Sequence, residues 1–229
     1  MIMYKRGLSH VEFIVSLAIF LAFVIFMLTF LSPFDNKQTN DATLEILEKS
    51  IIKYGSIEVL TGSVVVSNAG NDDCFSVESL DNKNVVVRFN NGRIDSKNVG
   101  EETAIENKGN GVYSLYYSDS FDEVELNGCS ELEPGSCSLG LTREKNIIYL
   151  EKLKELAEIY NNRYADAKEA INFPEESDFG FVLYELNGGV SIEAFKKKTS
   201  GDVNAKEINI EVIDKDANIK SMIVNLRVW

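Results

Sequence analysis

The chain has 229 residues, 23 Lys and Arg against 36 Asp and Glu, and a formal net charge of −13. Such an acid excess argues against nucleic acid as a partner, since phosphates are bound through Lys and Arg, and it implies a solvated, self-repelling exterior. The one histidine, His10, lies in the opening segment, so the rest of the chain lacks the imidazole that Ser-His-Asp, Cys-His and HExxH chemistry requires.

The first element is apolar. Phe13 to Leu31 are 19 consecutive positions without a charge, and only Ser16 and Thr29 among them are polar. As a helix this run would span about 28 Å, against a hydrocarbon core of roughly 30 Å. Lys5 and Arg6 come before it, which predicts a cytoplasmic N-terminus and an external remainder. A secretory signal has a shorter apolar core and a small-residue cleavage site after it. Here "TFLSPFDNKQ" follows, with no such site. Glu12 stands at the start of the run, although a charge at the centre of a membrane helix costs roughly 2.5–3.5 kcal/mol.

The stretch "KRGLSHVEF", residues 5–13, resembles the processing site of type IV pilins, in particular archaeal proteins with class III signal peptides. The resemblance implies a prepilin peptidase that recognises Lys5, Arg6 and Gly7 and cuts before Leu8, removing a 1–7 leader. Glu12 is then the fifth residue of the new chain. Many archaeal members have Gln at the first mature position, where this chain has Leu8. The resemblance further implies that 8–32 is a transmembrane and assembly helix. Its partners would be the prepilin peptidase, the pilus assembly machinery, the membrane and other pilin subunits. The protein would sit in the cell membrane with an extracellular C-terminal head, or in a cell-surface filament. Glu12 would pair with the new α-amine of a neighbouring subunit, which is mostly protonated at neutral pH. The resemblance is confined to residues 5–32. An uncleaved signal anchor is the other reading of the same segment.

Ser32-Pro33 predicts the end of this helix, and "DNKQTN", residues 35–40, a polar hinge. Leu44, Leu47, Ile51 and Tyr54 share one helical face, which predicts a short amphipathic helix over 41–54, closed by Gly55. Region 33–55 is thus hinge plus helix. Strand-like runs follow at 56–67, 74–80, 84–90 and 111–118, with turn residues in "NAGND", "LDNKN" and "NNG". Segment 95–110 reads as a loop, and 122–129 as one further strand. Together 56–140 reads as an antiparallel β-rich meander.

Three cysteines occur, Cys74, Cys129 and Cys137, with no metal-binding spacing. Pro134-Gly135 predicts a turn that brings Cys129 and Cys137 together as a disulfide. A bridge from Cys74 to either of them, or no bridge, are the alternatives.

From near Thr142 a long amphipathic helix is predicted, with Leu150, Leu153, Leu156, Ala157, Tyr160, Tyr164, Ala167 and Ile171 on one stripe and Phe173-Pro174 as its end. Period-two patterning returns at 178–186 and 190–195 around "NGG", and again in "KEINIEVID" and "IKSMIVNLRVW" around "KDAN". Region 141–229 therefore reads as a long helix plus a four-stranded meander. "DKDAN" opens like a calcium loop, but Ile219 and Asn225 stand where Gly and Glu would be needed, so a hairpin turn is predicted. "KKK", 196–198, reads as a solvated loop.

The expected fold class is α+β: an N-terminal transmembrane, pilin-type helix, then a β-rich head with one long helix over antiparallel sheet. No catalytic set, cofactor fingerprint or metal set is found, and no enzyme is expected. The expected function is a type IV pilin-like structural subunit. The large head points to a minor or adhesive one. A membrane-anchored extracellular binding domain that does not assemble is the competing reading, and a carboxylate-dependent hydrolase the weakest.

Overall fold

The computed structural model describes residues 10–30, 36–126, 128–195 and 203–229. The chain divides into two compact units, Met1–Thr43 and Leu44–Trp229. In the first lies α1 (His10–Phe30). The second helix, α2 (Asn36–Gly55), begins in the first unit and ends in the second. It starts five residues before the predicted helix, so 36–40 is helical backbone rather than a hinge. Ser32-Pro33 lies outside the described residues.

The second unit is α+β. Its strands are β1 (Ser56–Val66), β2 (Cys74–Glu78), β3 (Val85–Phe89), β4 (Gly92–Ile94), β5 (Ser96–Val99), β6 (Glu102–Glu106), β7 (Gly111–Tyr117), β8 (Ser130–Glu131), β9 (Cys137–Leu139) and β10 (Arg143–Tyr149). Then come α3 (Leu150–Asn162), α4 (Tyr164–Ala170), β11 (Phe179–Glu185), β12 (Val190–Ala194), β13 (Asn204–Ile213) and β14 (Ile219–Val228). The large sheet has the order β12-β11-β14-β13-β10-β1-β7-β3-β4, with β9 also on β1; the small sheet has the order β5-β6-β2-β8.

This order is not a meander. In the N-terminal half β1 lies between β7 and β10, two strands distant in sequence. In the C-terminal half the two hairpins β11–β12 and β13–β14 are present as predicted, but β11 pairs with β14. The 95–110 segment holds two strands, β5 and β6, and no strand forms over 122–126.

The predicted helix start near Thr142 also moves, to Leu150. Residues Arg143–Tyr149 are strand, not the first turns of a helix. Ile147 and Tyr149 face one side of the sheet and Ile148 the other, and all three are buried. Consecutive apolar residues buried on alternate faces suit a strand between two cores. The helical region then breaks at Arg163, whose φ/ψ of −146°/75° is not helical. The apolar stripe nonetheless continues through Ala167 and Ile171.

The two halves of the sheet meet at only two pairs, Ile148↔Val212 and Tyr149↔Ile213, where β10 and β13 run parallel. On one face α2 and α3 cover the C-terminal half. Leu44, Leu47, Ile51, Leu153, Leu156 and Tyr160 pack there on Phe179, Phe181, Leu183, Val224 and Leu226. Gly55 lets the end of α2 close on this core, since a Cβ would lie 3.1 Å from Leu153 Cδ2 and 3.2 Å from Ile148 Cγ2. The register puts the core between the small sheet and the N-terminal half on the same face: Phe75, Val77 and Ile105 pack on Val64, Val85, Leu115 and Tyr117. The opposite face carries a third core around the seam, with Ile57, Val59, Val86, Phe121, Tyr149, Ile213 and Ala217.

Candidate functional site

Of the residues predicted to form the processing and assembly site, Lys5, Arg6, Gly7 and Leu8 lie outside the described residues. Glu12 is described, in the first turn of α1. A carboxylate there faces the positive end of the helix macrodipole, which favours it by a few tenths of a kcal/mol to about 1 kcal/mol. Beyond Glu12 the side chains through Met27 are apolar or small, and all are exposed except half-buried Val24. Phe13, Ile14 and Val15 are 64%, 63% and 51% exposed. Three consecutive helical residues point 100° apart, so the exposure is not one stripe but the whole circumference.

Among the described residues no helix is long and apolar enough to cross a membrane. The expected span over 8–32 is therefore unsupported among them, and its ends, 8–9 and 31–32, lie outside them.

The predicted Cys129–Cys137 bridge is corrected. Cys129 is bonded to Cys74, with the Cα atoms 4.9 Å apart, and Cys137 is a free, half-buried thiol. The reason is strand pairing. Ser130 and Glu131 pair in parallel with Phe75 and Ser76, which sets Cys129 beside Cys74. Cys137 instead enters β9 and pairs with Val66 of the other sheet. The turn at Pro134-Gly135 exists, closed by Ser136 N–H donating to Glu133 O at 2.9 Å, but its two arms diverge to different sheets.

"DKDAN" forms the β13–β14 turn, as predicted. Its carboxylate serves the turn: Asp214 Oδ1 accepts from the N–H groups of Asp216 and Asn218, both at 2.9 Å. Two arginines of the β3–β4 hairpin hold the turn from outside. Arg88 donates to Asp216 O at 3.0 Å and to Asn218 Oδ1; Arg93 donates to Lys215 O at 2.9 Å and Asp216 Oδ1 at 3.0 Å. Among the described residues no group of three or more His, Cys, Asp or Glu side chains could hold a metal ion.

A further polar network lies beside α4. The Tyr164 hydroxyl donates to Asp178 Oδ1 and accepts from the Phe179 N–H, both at 2.9 Å, and Lys168 Nζ lies 2.9 Å from the same Asp178 oxygen. Burial is the main reason the Tyr164 phenol titrates far above its usual range. Each group here has a partner, and the network fastens α4 to the start of β11. Asp178 and Trp229 also exchange backbone hydrogen bonds at 2.9 and 3.1 Å, which fixes the end of β14 there.

Two features had no sequence signal. An open cleft of 840 Å³ is lined by Ser76, Glu78, Asp81, Glu102, Glu131 and Cys137, among others; its residues come from four separate segments. The arginine clasp on the 214–218 turn joins positions more than 120 residues apart. No family model, curated protein or solved structure matches the chain.

Proposed function

We propose that this chain is a type IV pilin-like structural subunit, minor or adhesive rather than the main filament unit, with no catalytic role. In this reading a prepilin peptidase removes residues 1–7, and the helix from Leu8 sits in the cell membrane until it is drawn into a surface filament with the head outside. The observation that carries the reading is α1: a helix with apolar side chains exposed around its whole circumference and one carboxylate in its first turn. A helix apolar all round is stable only when lipid or other helices surround it. The basic pair, Gly7 and the fifth-position Glu12 supply the processing half of the argument. The span itself rests on the uncharged sequence Phe13–Leu31.

Co-expression with a prepilin peptidase and intact mass measurement tests the reading. The expected product begins at Leu8, and a chain that keeps residues 1–7 refutes it. Glu12→Ala is expected to be cleaved normally yet to yield far fewer filaments in sheared surface material by electron microscopy. A chain that is cleaved but never found in filaments would instead be the anchored, non-assembling domain.

A further inference from the structure

We draw no further inference here: the strongest candidate, the open cleft between the small sheet and β9 that holds Glu78, Asp81, Glu102, Glu131 and the free thiol of Cys137, joins an acidic cluster to a lone cysteine, and nothing among the described residues points to a ligand there.

Discussion

Helices α1 and α3 make opposite use of apolar residues. In α3, Leu150, Leu153, Leu156, Ala157 and Tyr160 are buried on one stripe, while Lys154, Glu155 and Glu158 face water. In α1 no described side chain is buried, although nearly all are apolar. Periodicity is what separates them. A stripe names a partner within the same chain, here the sheet of β11 and β14. A helix apolar all round carries no such stripe. The contrast extends to charge, since within 10–30 Glu12 alone is acidic.

The largest effect that sharpens this contrast is expected in α3. Leu156→Ala should lower the stability of the head by about 2–5 kcal/mol, the usual cost of a fully buried leucine, measured by denaturant unfolding of the full chain in detergent. A loss below about 1 kcal/mol would mean the α3 face is not core. Next comes the covalent tie. Cys74→Ser should cost about 2–4 kcal/mol by the chain-entropy argument for a long loop, whereas Cys137→Ser should shift the melting temperature little. Equal shifts from the two variants would contradict the pairing.

A smaller, pH-dependent effect is expected at the residue just before α3. Burial pushes the Tyr149 phenol up to about 12, with Asp122 and Glu151 adding to the rise. In the unfolded chain a tyrosine ionises near pH ~10. Its folded pKa is the higher, so its contribution is complete below that point and is lost as pH rises toward 12. Tyr149→Phe should flatten the alkaline limb of the melting-temperature profile; an unchanged limb would assign it to other groups. The smallest effect on the head is expected from α1. Phe20→Ser should leave head unfolding within about 0.5 kcal/mol of the parent, as for other exposed sites, and should weaken partition into lipid vesicles. A large loss of head stability would show that α1 packs on its own chain.

The strands that alternate strongly were legible in sequence. β7 carries Tyr113, Leu115 and Tyr117, β13 Ile208, Ile210 and Val212, and β14 Met222, Val224, Leu226 and Val228 at alternate positions over a mainly buried face, and turns such as Asn90-Asn91, both with positive φ, announced themselves by residue type. β5 and β6 were not legible. "SKNV" and "ETAIE" carry polar residues whose burial depends on tertiary partners: Ser96 donates to Val85 O, and the Thr103 hydroxyl pairs with that of Tyr117 at 2.9 Å. β10 was hidden because its Ile147-Ile148-Tyr149 runs directly into the α3 stripe, so a helical period can be extended backward through it. Strand order and cysteine pairing depend on contacts remote in sequence, such as Phe75↔Ser130, which local patterning does not encode. Of the candidate site, the basic pair, Gly7 and Glu12 are legible in the sequence alone, and the structure adds helical backbone and exposure at Glu12 and beyond.

The seam between the sheet halves has a consequence for aggregation. β13 is ten residues long, yet only Val212 and Ile213 pair with β10. Among the described residues the rest of that flank has no strand partner, and such an edge is the kind of backbone that recruits a strand from another molecule. Lys206, Glu207 and Glu211 stand along it; Lys206 is bound to Glu48 at 2.6 Å and Glu211 to Lys145. An incoming strand would have to strip these ions of water and partners. Such charges guard this edge against pairing with a second chain.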